Sequence, residues 1–186
     1  MKKTVLTFGL ISGALSSLMM LAALPFIDRI GFDKGAVVGY TAIVLCFLLV
    51  FFGIRSYREN VGNGSITFGR AFAVGILITL ISCVFCVVTW EIIYFKLMPD
   101  FAEKFTTYAV EQVRASGGSQ QMIDAKVAEM KDLVVKLNNP LMNAAFTFIE
   151  PFPVGLLLTL ISAAILRRRP KSANGDARIS GALTSA

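Results

Sequence analysis

Four long apolar stretches dominate the chain. Residues 4–27 carry no charge over 24 positions, and residues 36–54 carry none over 19. Residues 71–95 hold one acid, Glu91, and residues 141–166 hold one acid, Glu150, followed at once by Pro151 and Pro153. A hydrocarbon core about 30 Å thick is crossed by roughly 20 apolar residues of helix, at about 1.5 Å each. Lipid offers the backbone no hydrogen-bond partners, so stretches of this kind are helices, and the signal is too continuous for the alternating pattern of a barrel. The pattern predicts an all-α, polytopic integral membrane protein with four transmembrane helices. Met1-Lys2-Lys3 would also suit a secretory leader, but 24 uncharged residues exceed the roughly 7–15 of a signal core. The first stretch is expected to remain as an anchor.

The polar interludes differ in kind. Between the third and fourth stretches lie about 40 residues (99–139), too long for a turn and too regular for a linker. Phe101, Phe105, Tyr108 and Val113 fall near one helical face, and Ser116-Gly117-Gly118 ends that pattern. Ser119 suits a second N-cap, after which Ile123, Val127, Met130, Val134 and Leu137 recur at helical spacing. Asn139-Pro140 reads as a cap and first-turn pair for the last span. This insertion is expected to form a helical hairpin, its stripes burying each other, lying on the bilayer or docking a partner. The membrane domain then covers residues 1–170, and the small, polar tail 171–186 is expected to be disordered.

Composition agrees with the pattern. The 186 residues are 55% hydrophobic and only 16% charged, with a mean hydropathy of +0.70. Charge placement carries more information than the net +6. Lys2 and Lys3 precede the first span, the second connection holds Arg55, Arg58 and Arg70 against Glu59, and the tail begins Arg167-Arg168-Arg169-Pro170-Lys171. The first connection is balanced, and so is the long third one. Loops rich in Lys and Arg stay cytoplasmic, so both termini are expected on the cytoplasmic side and the hairpin outside. The basic excess is thereby accounted for by topology and anionic lipid, and nucleic acid is not needed as a partner.

Small residues recur along three spans: Gly9 and Gly13 in the first, Gly75 and Thr79 in the third, Gly155 and Thr159 in the fourth. The segment Val74-Gly75-Ile76-Leu77-Ile78-Thr79-Leu80-Ile81-Ser82 is nearly repeated as Val154-Gly155-Leu156-Leu157-Leu158-Thr159-Leu160-Ile161-Ser162. Such spacing lets helices approach closely in lipid, so it is expected to be one packing device used twice.

Candidate chemistry is sparse. With no His, the commonest general base and metal ligand is missing. Glu91 and Glu150 are the candidate intramembrane acids, because a charge inside a span is costly and so suggests function. Glu91 lies 21 positions beyond Arg70, about 31 Å of helix, and Glu150 lies 17 before Arg167, about 25 Å. Both therefore fall near the outer boundary, with Trp90 and Tyr94, where anchoring competes with a cation or proton site. Cys46, Cys83 and Cys86 read as small buried hydrophobes, and neither metal nor other cofactor is expected. Arg55, Arg58 and Arg70 are candidate contacts for lipid headgroups. No nucleophile has a visible base, so no enzymatic activity is expected.

Phe51-Phe52-Gly53-Ile54-Arg55-Ser56-Tyr57-Arg58, Ile66-Thr67-Phe68-Gly69-Arg70-Ala71-Phe72 and Trp90-Glu91-Ile92-Ile93-Tyr94 carry a resemblance across residues 4–170. In these segments the chain resembles an uncharacterised bacterial family of four-span membrane proteins, a domain of unknown function. The resemblance implies a four-helix inner-membrane protein with a long third loop, and it assigns no catalytic or binding residue. The expectation is a structural or interaction component of that membrane, with a partner protein or self-association. The competing expectation is a small oligomeric transporter or channel for protons or cations, using Glu91 and Glu150.

Overall fold

The computed structural model describes residues 1–168, so the tail expected at 171–186 lies outside the described residues. Within them the chain is all-α. In order come α1 (Lys2–Ala23), a single 3-10 turn (Leu24–Phe26), α2 (Ile27–Asn60), α3 (Phe68–Ile92), α4 (Phe101–Ala115), α5 (Gln120–Leu137), α6 (Pro140–Ile149) and α7 (Pro151–Leu166). Four runs are long and apolar enough to cross a bilayer: Lys2–Phe26, Arg29–Asn60, Phe68–Leu97 and Pro140–Leu166.

Three boundaries differ from the apolar pattern, each for a local reason. The second helix starts well before residue 36, because charged residues such as Asp33 and Lys34 end a hydrophobic run without ending a helix. Its direction changes at Gly31, whose φ of 75° and ψ of 164° lie outside the helical region. The third span runs on through a π turn, Ile93–Leu97, where Met98 N–H reaches back to the Ile93 carbonyl at 2.8 Å. Met98 precedes Pro99 and is pushed out of the helical region, so the helix stops there. The fourth apolar stretch is two helices. Pro151 and Pro153 have no N–H to donate, which breaks the ladder at Glu150 between α6 and α7.

Side chains cap three of the helix starts. Thr67 accepts from Arg70 N–H at the head of α3, Ser119 from Met122 N–H at the head of α5, and Asn139 from Leu141 and Met142 N–H ahead of Pro140. Gly117, at φ 77°, closes α4 and lets Gly118 N–H bond the Val113 carbonyl at 3.0 Å.

α3 is central, touching α1, α2, α6 and α7. The apolar core lies toward the end bearing the N-terminus, around Val5, Phe47, Val50, Ile54, Val74 and Ile78. Small polar residues are buried along the interior as well: Ser12, Ser16, Thr79, Ser82, Thr89, Thr159 and Ser162. Leu18, Val37, Val84, Leu157 and Ile165 point outward, as expected where hydrocarbon is the solvent.

Candidate functional site

The small-residue positions meet across helix pairs. A Cβ added at Gly75 would lie 2.7 Å from Thr159 Cγ2, and one at Gly155 would collide with Thr79 Cγ2 and sit 3.0 Å from the Phe47 ring. The Thr79 and Thr159 hydroxyls are 3.1 Å apart and hydrogen-bonded. Because α3 and α7 are antiparallel, the repeated segments pack reciprocally, each glycine opposite the other helix's threonine. Gly9 lies against Ile81, and Gly13 against the Phe85 ring, so α1 and α3 close in the same way. Farther along this seam Ser12 Oγ donates to the Cys46 carbonyl at 3.0 Å, Cys86 Sγ to Ser16 Oγ at 3.4 Å, and Thr89 Oγ1 to Ser17 Oγ at 2.7 Å. The hydroxyls thus stitch the helices together. Sequence reasoning named the glycines and missed Ser12 and Thr89 as cross-helix donors and Ser16 as the acceptor for Cys86; their helical spacing was the available signal.

Glu91 and Glu150 point to different neighbours. Glu150, at the break between α6 and α7, is exposed and lies within electrostatic reach of Tyr40 and Cys86. Glu91 is five positions beyond Cys86 on α3, about 140° around the helix. It shares a face with Val84 and Val88, which line an apolar groove against Leu141, Ala145 and Phe148 of α6. One Glu91 carboxylate oxygen is enclosed and has no hydrogen-bond partner. The three cysteines are free and buried, with Cys46 Sγ 3.9 Å from Met19 Sδ. Among the described residues no group of three or more His, Cys, Asp or Glu is arranged to hold a metal ion.

The end opposite the N-terminus is closed by an aromatic cluster that the hydrophobic pattern did not reveal. Just beyond the Gly31 bend, Phe32 meets Phe101, Phe105 and Tyr108 of α4, with ring centroids 5.8, 5.5 and 5.0 Å away. Trp90 packs edge-on against Phe101 at 5.0 Å. The Tyr108 hydroxyl donates to Asp33 Oδ1, and Gln112 Nε2 donates to Asp33 Oδ2 at 3.4 Å. The hydrogen bond to Asp33 holds the Tyr108 proton, and partial desolvation and the carboxylate's charge add to it, so its pKa is raised. Lys104, on Asp100 at 2.9 Å, holds the Asp100 carboxyl below the usual range. A groove of about 640 Å³ runs between the start of α2 and α4, with Asp33, Lys34, Glu103 and Glu111 on its walls.

α5 packs on α4 and the start of α6. Met130 is buried, and Ile123, Val127, Val134 and Leu137 are half-buried, so the apolar stripe is spent inside the hairpin. The opposite face of α5 presents Asp124, Ala125, Ala128, Lys131, Asp132 and Val135, all exposed.

At the other end Arg55 Nε and Arg58 Nη2 each reach Glu59 Oε1 at 3.1 Å. Arg70 is exposed in the first turn of α3. Ile66 and Arg168 exchange two backbone hydrogen bonds of 2.9 Å, joining the α2–α3 connection to the end of α7. This bridge had no sequence signal.

Four apolar helices around a small-residue seam, capped at one end by a docked hairpin, define a polytopic helical membrane protein. Residues 7–168 match the model of a family described as protein of unknown function (DUF4199), and the chain belongs to that family. Comparison with curated proteins and with solved structures finds no match.

Proposed function

We propose that the protein is a non-enzymatic component of a bacterial inner membrane, with both termini in the cytoplasm, and that the outward face of its hairpin contacts a partner protein. The observation that supports this reading is the division of labour in the hairpin. Its aromatic side is clamped to the bundle through Phe32, while the outward face presents exposed Ala125 and Ala128 flanked by Asp124, Lys131 and Asp132. The two alanines at its centre have no side-chain rotamers to lose on contact. The bundle interior, by contrast, is filled by glycine–side-chain contacts across its seam. Purification from native membranes in mild detergent, with the mass of the particle determined, tests the proposal. A stoichiometric second protein, lost when Ala128 is replaced by Arg, supports it; a particle unchanged by substitution on this face counts against it.

A second reading rests on the unpartnered Glu91 oxygen, which gives an intramembrane acid a free acceptor. In that reading the chain self-associates and conducts protons or cations. Glu91 and Glu150 lie on different sides of α3, so the pathway would run between copies. Proton or cation flux in liposomes that is abolished by Glu91→Gln or Glu150→Gln would favour it.

A further inference from the structure

We infer that the end of the bundle bearing the N-terminus holds the phosphodiester of an anionic phospholipid, gripped by arginines from three segments of the chain. The inference stands apart from the proposed partner contact at the opposite end. Arg55 follows the last apolar residue of the second predicted span, Arg70 precedes the first of the third, and Arg167 follows the last of the fourth. Three independent span ends thus place guanidinium groups at one depth, where the hydrocarbon gives way to headgroup phosphates.

The backbone that carries them is fixed. Gly64 N–H bonds the Arg58 carbonyl at 2.9 Å, and Ser65 N–H bonds the Gly62 carbonyl at 2.9 Å. Asn63 and Gly64 have φ of 48° and 80°, and a Cβ at Gly62 would strike the Ser65 carbonyl, so the turn admits little variation. The next residue, Ile66, is buried and pairs in both directions with Arg168. Arg58, Arg70 and Arg168 are therefore tied to one short connection.

The charge there is unbalanced. Glu59 Oε1 serves both Arg55 and Arg58, which leaves Arg70, Arg167 and Arg168 without a carboxylate at this end among the described residues. The Arg58 side chain is only 15% exposed, and its Nε is enclosed with no acceptor. Guanidinium forks match phosphate oxygens in geometry as well as charge. Phe52, three positions before Arg55, and Phe68, in the first turn of α3, are exposed at the same end, supplying apolar surface for acyl chains. A lipid satisfies both features, and a free phosphate only one.

Native mass spectrometry of the full chain tests this, with phosphatidylglycerol, phosphatidylcholine and inorganic phosphate as separate probes. Arg70→Gln and Arg168→Gln alter exposed side chains and leave the backbone bridge available. The paired Lys2→Gln/Lys3→Gln variant is the control, removing charge from the same end away from the connection. The expected result is retained phosphatidylglycerol, weakened about tenfold or more by Arg70→Gln or Arg168→Gln, and much less by the lysine control. Equal loss in the control would mean diffuse attraction and overturn the site. Retention of phosphatidylcholine to the same degree, or of inorganic phosphate in place of lipid, would also overturn it.

Discussion

At the residue scale the glycines of the seam carry the most specific consequences. Gly155 has no room for a side chain, since Thr79 and Phe47 occupy the space. Gly155→Leu is expected to destabilise the bundle by about 1–3 kcal/mol, the usual range for overpacking, when unfolding is followed in detergent. Gly39→Ala is the contrast. Nothing lies within 4 Å of a Cβ there, so this helical substitution should be neutral or stabilising by up to about 1 kcal/mol. The Thr79–Thr159 hydrogen bond is expected to give a double-mutant coupling of about 0.6 kcal/mol, with about 1.7 as an upper bound in a membrane setting.

Tyr108 gives a titration at the same scale. Its raised pKa means that the Asp33 contact is intact below the ordinary tyrosine value of about 10 and is lost as pH rises through the higher folded value. Asp33→Asn should bring the Tyr108 midpoint down toward that ordinary value. Ultraviolet absorbance of the phenolate reads it, with Tyr108→Phe subtracted. An unchanged midpoint would mean that the contact does not exist in solution.

Among elements, those defined by composition were legible in the sequence and those defined by meeting were not. Uncharged runs announce spans, because lipid leaves the backbone no alternative to the helix. The cap residues at Ser119 and Asn139 were legible because a cap is a local device. The Gly31 bend was not, since a glycine at the edge of a charged connection looks the same whether the helix bends or ends. Phe32 was likewise invisible as an anchor. It is one aromatic among 15 Phe, and its partners lie some 70 positions away in sequence. The stripe on α5 was correctly seen as apolar, but only the structure gives it to α4 and the start of α6.

The hairpin is held mainly by large side chains, which makes its docking separable from the bundle. Each of the three ring pairs made by Phe32 is worth about 0.5–1.5 kcal/mol beyond area burial, so Phe32→Ala should loosen α4 and α5 by more than tenfold in local opening. Amide hydrogen exchange should then speed up across residues 101–137 while the inner turns of α3 stay protected. Equal protection in wild type and variant would show that Phe32 does not hold the hairpin.

For the whole molecule, two ends of different character are joined by a seam with little free space. One end is basic and tied by the Ile66–Arg168 bridge. The other is aromatic and carries the docked hairpin. The candidate acids read from the sequence do not converge, because Glu150 turns toward Tyr40 and Cys86 while Glu91 looks toward α6. Their position along a helix was legible by counting residues. Their facing was not, because the proline break sets the direction of Glu150, and rotation of one helix against another leaves no mark on a single chain.

The central claim is that the outward face of α5 meets another protein. A photo-crosslinking side chain placed at Ala128, in the full chain in native membranes, reads it most directly. The account predicts a discrete protein adduct from Ala128, diminished by Phe32→Ala, and none from the lipid-facing Val84. Absence of any protein adduct from Ala128, Ala125 or Val135, together with a flux in liposomes that depends on Glu91 or Glu150, would contradict it.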